Sequence, residues 1–412
     1  MKKNYKLTKL ACYAAYFTMS SVFCVPPLLF ETFHGSYGIS YTLLGTLVLI
    51  NFCTQLLVDL IFTLFAKKFN TRLAVRVMPV MTSMGLALYA LIPTFLPQIA
   101  YVGLVVGTVL FSVSAGLSEV LLSPTIAALP SDDPERDMSA LHSLYAFGVV
   151  TMVLLSTLFF RLFSYERWPY LLCFFALLPI IAAVLFMLSP MPDMGGSTAG
   201  DGVKGTKRRA LGMALCVGCI FFGSCAENAM SNWISVYAES ALGLNKTLGD
   251  VLGVAMFAVL LGLARIGYSR FGKHIGRVLL IGMSGAAVCY LTIALVPNAA
   301  VAFIACVLTG LFTSMLWPGS LIMMEEKLPG VGVAAYALMA AGGDLGASVA
   351  PQLLGAVTDR VAVSAWAERN AAVWQLTGEQ LGLRVGMLVC AAFPLVGILL
   401  LLLTFRYFKK HQ

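Results

Sequence analysis

The residues that could do chemistry in this chain are a few charged and amide side chains, each set inside a long apolar stretch. Glu119 lies in the run GLSEVLLSP, and Asp344 lies in AGGDLGASVA. A charged side chain at the centre of a lipid bilayer costs about 2.5–3.5 kcal/mol on insertion scales, so it needs a partner or a function. We predict that Glu119 and Asp344 bind the coupling proton of a transport cycle, with structural hydrogen bonding as the alternative for each.

A second group of polar and aromatic residues suits a hydroxyl-rich neutral solute. Amide side chains form directional hydrogen bonds with hydroxyls, and an aromatic face stacks on the apolar side of a sugar ring. The alternatives are the aromatic belt at the membrane surface for Trp233 and plain packing for Trp317. The predicted substrate-binding residues are Gln55, Tyr145, Glu227, Asn228, Asn232, Trp233 and Trp317.

Three further residues are predicted to belong to gates. Asn51, Gln55 and Asp59 recur at intervals of four, which places them on one helix face, and Asp59 suits a bond across to the eleventh span. Arg265 is the lone base well within a span, where ion pairing is favoured over anion binding. His142 could relay protons, and a position at the membrane surface is the plainer alternative.

The elements that must hold these residues are a dozen apolar stretches of membrane-spanning length. Hydrophobic residues make up 59% of the 412 residues and charged residues only 11%, against about 25% charged in a soluble domain. A helix needs about 20 apolar residues to cross the hydrocarbon. We therefore predict an all-α membrane protein with twelve transmembrane helices, at 9–31, 41–65, 77–96, 99–129, 139–163, 168–189, 210–238, 248–268, 277–296, 299–325, 331–358 and 382–405.

One polar break divides these spans into six and six. It predicts an N-terminal six-helix bundle at 1–189, a cytoplasmic linker at 190–209 and a C-terminal six-helix bundle at 210–412. The fourth span contains Gly-Leu, six residues and Pro124, and the tenth contains Gly-Leu, six residues and Pro318. This repeat suggests two bundles related by duplication, an arrangement that places a transport site between them near the bilayer midplane.

Basic residues indicate the orientation. Lys and Arg concentrate at the two ends, in the linker and in the loops that follow even-numbered spans, so both termini are predicted to be cytoplasmic in the cell (inner) membrane. The net charge of +8 then reflects topology, and we predict no nucleic-acid partner. The ten cysteines lie within predicted spans and indicate no disulfide framework.

Motifs for enzyme chemistry are missing from the sequence. It has no Gly-x-x-x-x-Gly-Lys-Ser/Thr phosphate loop, no nucleophile elbow and no metal-ligand spacing. We predict no cofactor, no metal and no enzyme activity, so any driving force must come from a gradient.

The pattern as a whole resembles the major facilitator superfamily. Twelve spans, a basic linker and the loop FAKKFNTR after the second span carry this resemblance. Within the superfamily, GLSE through Ser123-Pro124, Gly223 through Glu227 with Trp233, and TSMLWP in the tenth span are similar to the fucose–proton symporter-like branch. The resemblance implies two pseudo-symmetric six-helix bundles and places the membrane-embedded, proton-linked glutamate of that branch at Glu119.

The chain also departs from these relatives. Lys67, Lys68 and Asn70 stand where the superfamily loop has an Asp, a base and a Gly. Val22 and Phe23 stand where the branch carries an Asp in the first span. The loop's charge latch and a first-span proton carboxylate are therefore not carried over.

These observations predict a secondary active transporter for a small polar solute, a sugar or sugar-like molecule, by proton-coupled symport with alternating access. The alternatives are an efflux antiporter for amphipathic compounds, an uncoupled facilitator and a transport-dead membrane sensor. The predicted partners are the solute, a coupling ion (a proton rather than sodium) and the lipid bilayer, and the predicted oligomeric state is a monomer.

Overall fold

The computed structural model describes residues 5–65, 69–131, 134–192, 207–245, 249–328 and 332–411. By chain contacts the protein divides into two compact units, which are described separately. Unit 1 comprises residues 1–39 and 50–198, and unit 2 comprises residues 40–49 and 199–412. The sequence-based bounds place residues 40–49 in the N-terminal bundle, whereas their contacts place them in unit 2.

The described residues are almost entirely helical. The helices of the first half are α1 (Lys6–Leu28), α2 (Phe30–Tyr37), α3 (Tyr41–Phe65), α4 (Thr71–Phe95), α5 (Ala100–Ala127), α6 (Pro134–Phe163) and α7 (Trp168–Leu188). Those of the second half are α8 (Lys207–Val236), α9 (Met256–Phe271), α10 (Ile275–Leu295), α11 (Ala299–Thr313), α12 (Leu316–Lys327), α13 (Gly332–Ala362), α14 (Ala365–Trp374), α15 (Gly378–Cys390) and α16 (Ala392–His411).

The helices match the predicted spans, and the all-α prediction is confirmed. In the described part of the chain, ten helices are long and apolar enough to cross a membrane, and a shorter apolar helix runs over Phe147–Phe163. Three predicted spans are interrupted: α1 and α2 divide the first, α11 and α12 divide the tenth, and α15 and α16 divide the twelfth.

Small residues set the packing inside unit 1. A Cβ atom added at Gly85 of α4 would lie 2.7 Å from the Phe111 nitrogen of α5, and one added at Gly107 would lie 2.7 Å from the Gly85 carbonyl oxygen. Glycines thus let the two backbones touch, which is how membrane helices pack where lipid removes the hydrophobic driving force.

Backbone irregularities concentrate in unit 2. Two π-helical segments, Tyr237–Ala241 and Gly249–Ala255, extend α8 and precede α9. The break between α11 and α12 comes just before Pro318, whose nitrogen has no hydrogen to give to the Ser314 carbonyl four residues earlier. That carbonyl needs another donor.

The first turn of α3 is held by residues of unit 2. The Asp359 carboxylate accepts hydrogen bonds from the backbone N–H groups of Tyr41, at 3.2 Å, and Thr42, at 2.6 Å. An anion at this position satisfies N–H groups that have no partner within the helix and complements the helix dipole. The Tyr41 hydroxyl also donates to Glu379, and Thr46 donates to Gln352 at 3.0 Å.

Candidate functional site

Glu119 occupies a membrane-spanning helix and is nevertheless exposed. It lies on α5, where neighbouring Ser118 is buried and Glu119 is open. The Tyr16 ring of α1 is buried and within electrostatic range of the Glu119 carboxyl. Glu119 is therefore placed on the side of α5 that faces α1, where a carboxyl can exchange protons or contact a solute.

Aromatic rings line the same side of unit 1. The Phe23 ring is 6.0 Å from that of Phe52 and 5.8 Å from that of Tyr145, and the Tyr145 ring is 6.4 Å from that of Tyr16. We call these four residues the aromatic cluster. Phe23 thus packs among aromatic rings from three helices.

The polar stripe on α3 is used largely for packing in this structure. Gln55, only 2% exposed, donates to the Asn51 side-chain oxygen at 3.0 Å, and Ser112 of α5 donates to the same oxygen at 2.6 Å. The predicted contact of Gln55 with a solute stays a prediction. Asp59 is half-buried, and its buried Oδ1 has no hydrogen-bond partner in the described part of the chain, so its gate role also stays a prediction.

In unit 2, Glu227 of α8 and Arg265 of α9 form an ion pair. Nη2 of Arg265 lies 3.6 Å from Oε1 of Glu227, and the two side chains are 41% and 19% exposed. Arg265 Nε donates to the Ser314 carbonyl at 2.9 Å. Arg265 therefore donates to a carbonyl that Pro318, lacking an N–H, cannot bond. Its positive charge also lies at the C-terminal end of α11, where the helix dipole favours a cation.

The amides of α8 present acceptors rather than donors. The Asn228 amide nitrogen donates to the Ser224 carbonyl at 3.1 Å, and that of Asn232 donates to the Asn228 carbonyl at 2.9 Å. Neither amide oxygen accepts a hydrogen bond from any residue that the structure describes. The two amide oxygens, one turn apart on α8, are therefore available to accept hydrogen bonds from a hydroxyl.

The remaining predicted residues occupy different settings. Trp233 is fully buried, donates to the Pro351 carbonyl at 3.2 Å and lies 5.6 Å from the Tyr41 ring, so its indole is enclosed in this conformation. Trp317 is half-buried and packs against Gly343, where an added Cβ would lie 2.3 Å from the indole.

Asp344 and His142 complete the predicted set. Asp344 on α13 is 8% exposed and has partners of its own. His142 falls within α6, but its side chain lies outside what the structure describes. Among the described residues, no three His, Cys, Asp or Glu side chains are grouped to hold a metal ion.

A bundle of long apolar helices with isolated charges inside the spans defines a polytopic membrane transporter. The sequence matches the family model of the Major Facilitator Superfamily over residues 11–351, and the chain belongs to that family. It is a transporter and not an enzyme. A search of curated protein sequences finds no match.

Solved structures show the same fold. A bacterial homologue of the human lysosomal transporter Spinster superposes with a TM-score of 0.73 at 14% identity, covering 98% of this chain and 97% of that one. A D-xylose–proton symporter gives 0.73 at 14% identity, with 94% and 96% covered. The nucleoside transporter NupG gives 0.70 at 12% identity, with 97% and 98% covered. At these identities the likeness concerns the fold.

Sequence reasoning missed two features of the site. The aromatic cluster draws on three helices, and the rings of Tyr16, Phe23 and Phe52 carry no motif that links them. The Arg265 bond to Ser314 had a signal in Pro318, because a proline inside a helix frees the carbonyl four residues earlier.

Proposed function

We propose that the protein moves a small polar solute, a sugar or sugar-like molecule, by proton symport with alternating access of the two halves. The observation that carries this proposal is the exposed carboxyl of Glu119 inside a span, on the side of α5 that faces α1. Such a charge is costly in lipid and becomes useful where a proton or a solute can reach it. The D-xylose–proton symporter among the similar structures is consistent with this class of substrate.

Each unit, taken by itself, offers groups that suit such a solute. The aromatic cluster offers ring faces for the apolar side of a sugar, and the Asn228 and Asn232 oxygens offer acceptors for hydroxyls. Glu119 would carry the coupling proton. We further propose that both termini are cytoplasmic, as the distribution of Lys and Arg predicts.

Uptake into proteoliposomes tests this proposal. Labelled monosaccharides, deoxysugars and polyols would be offered with and without an inward proton gradient, to the wild type and to Glu119→Gln. A tenfold gradient supplies about 1.4 kcal/mol, so one-to-one symport of a neutral solute can sustain up to about tenfold accumulation.

We expect Glu119→Gln to abolish accumulation and to keep downhill exchange. Glu166→Gln, a change at an exposed glutamate in the short turn just before α7, is the matched control and should accumulate like the wild type. Equal accumulation by Glu119→Gln and wild type would refute the coupling role of Glu119. Equilibration without any gradient effect in all three proteins would indicate a facilitator.

The aromatic cluster supports a second candidate, efflux of amphipathic compounds by antiport. Four rings beside a carboxyl suit a cation with an apolar body, because ring faces attract positive charge. Proton-driven export of a lipophilic cation from the same vesicles, with no sugar uptake, would favour this function.

A further inference from the structure

The ion pair of Arg265 and Glu227 leaves most of its hydrogen-bonding capacity unused. Its 3.6 Å separation exceeds the roughly 2.7–2.9 Å of a charge-assisted hydrogen bond. A guanidinium has five N–H donors, and the Nε–H of Arg265 goes to Ser314. The Nη groups donate to none of the residues that the structure describes, and the buried Oε2 of Glu227 accepts from none of them either.

Such a pair is poorly suited to a purely structural role. Removing two charges from water is offset only when their geometry is good and further hydrogen bonds satisfy both groups. Here the carboxylate is mostly buried and half unsatisfied, while the guanidinium is 41% exposed. The bond from Nε–H to the Ser314 carbonyl fixes the orientation of the guanidinium. Its Nη donors are thereby held in place for a planar acceptor such as a carboxylate.

We propose that Arg265 binds a carboxylate group of the solute, and that Glu227 takes up a proton that compensates this anion, in addition to the coupling proton of Glu119. This inference rests on the proposed function and narrows its substrate class to small hydroxy acids such as sugar acids. The carboxylate displaces Glu227 from Arg265, and a proton from the medium binds Glu227. The site is neutral before and after, since one anion and one proton arrive together.

Two amides on the same helix offer acceptors for the hydroxyls of such a solute. Asn228 follows Glu227 in sequence and Asn232 lies about one turn further on, and both amide oxygens accept no hydrogen bond from the described residues. They lie on the neighbouring face of α8, about 100° around the helix from Glu227.

The residues around Glu227 contribute no second charged partner within the described part of the chain. Within the described residues Arg265 is the one charged group that acts electrostatically on Glu227. Tyr290 of α10 lies nearby, and its hydroxyl donates to the Ala226 carbonyl at 2.8 Å. None of the other ionisable groups on elements that pack against α8 is an electrostatic partner of Glu227. These groups include Glu239, Asp250, Cys306, Glu325, Glu326, Lys327, Asp344, Glu379, Arg384 and Cys390.

Matched acid and neutral probes test the inference. D-glucuronate and D-glucose share a ring and differ in one carboxylate, as do D-galacturonate and D-galactose. Proton-driven uptake of all four would be measured for the wild type, Glu227→Gln, Arg265→Lys and the control Arg270→Lys. Arg270 is exposed in the last turn of the same helix. Calorimetry on purified wild type, in buffers of different ionisation enthalpy, would count protons taken up with each bound hexuronate.

We expect the wild type to prefer the hexuronates and to take up at least one proton per anion, the one that Glu227 binds. Arg265→Lys, which keeps the charge and loses the planar fork, should raise the half-saturating hexuronate concentration roughly tenfold or more, and Arg270→Lys should not. Glu227→Gln should exchange hexuronate downhill without accumulating it.

The failures are distinguishable. Proton-driven uptake of neutral sugars alone, insensitive to Arg265→Lys, overturns the inference and leaves the proposed function standing. Absence of proton-driven uptake for every probe overturns the proposed function. In that case the calorimetry alone tests the inference. The inference is overturned if the wild type binds neither hexuronate, or if it binds a hexuronate without taking up a proton. Thermal unfolding of each variant would show that it is folded.

Discussion

An alanine at position 346 would disrupt the close packing of α8 and α13. A Cβ added at Gly346 would lie 2.3 Å from the Phe221 carbonyl oxygen, 3.1 Å from the carbonyl carbon of the same residue and 3.1 Å from the Cβ of Ser224. The nearest obstruction is backbone, so no side-chain rotation can clear it. The two helices must move apart by about 1 Å to restore ordinary van der Waals contact.

The magnitude follows from that displacement. Extra atoms in a packed core cost about 1–3 kcal/mol, and a gap of about 1 Å forfeits up to half of the dispersion energy of the contacts it opens. Alanine also favours the helix over glycine by about 0.5–1 kcal/mol. We expect Gly346→Ala to lower the free energy of unfolding by about 1–2 kcal/mol, which for a chain of 412 residues corresponds to a fall in Tm of about 1–2 °C.

Thermal unfolding in detergent, followed by tryptophan fluorescence, measures this effect. Gly262→Ala in α9 is the matched control, because no atom lies within 4 Å of its added Cβ. The control should unfold at the wild-type temperature or slightly above it. If Gly346→Ala unfolds together with Gly262→Ala, the close approach of α8 and α13 is refuted.

Three other substitutions test single hydrogen bonds. Asp359→Asn removes the charge that accepts from the Thr42 N–H at 2.6 Å, and should destabilise the protein by about 1 kcal/mol, seen as a lower Tm. Tyr290→Phe removes the hydroxyl that donates to the Ala226 carbonyl at 2.8 Å; a cost of about 1 kcal/mol is expected, and an unchanged Tm would contradict it. Thr377→Ala removes the capping box of α15, so amide hydrogen exchange in that first turn should accelerate about fivefold for a loss of about 1 kcal/mol, while exchange in α10 stays unchanged.

Length and hydropathy predicted the helical fold because lipid leaves a spanning backbone few alternatives. Each N–H and C=O must be satisfied within the segment, so an apolar run of about 20 residues becomes a helix. The same constraint favoured an ion pair for Arg265, and the structure places Glu227 3.6 Å away; the gate role of Arg265 stays a prediction. The prediction of a major facilitator fold is confirmed, and the finer likeness to the fucose–proton symporter branch stays a prediction.

Side-chain surroundings could not be predicted in the same way. Gln55 and Trp233 have the composition of binding residues, yet Gln55 bonds to Asn51 and Trp233 is enclosed with Tyr41. Helical periodicity indicates which face a residue occupies but not which neighbour fills the space beyond it. The position of Arg265 on the carbonyl freed by Pro318 likewise depends on how two helices cross.

The division of α3 between the two units has a consequence for biogenesis. The chain enters unit 2 at residue 40, leaves it after 49 and returns at 199. The bonds from Tyr41 and Thr42 to Asp359 join residues 318 and 317 positions apart. Contacts so distant in sequence form late, because the loop must close before they contribute stability. While the ribosome is still synthesising the second half, the first turn of α3 has no Asp359 to bind, so the N-terminal half cannot reach its final contacts before the eleventh span is inserted.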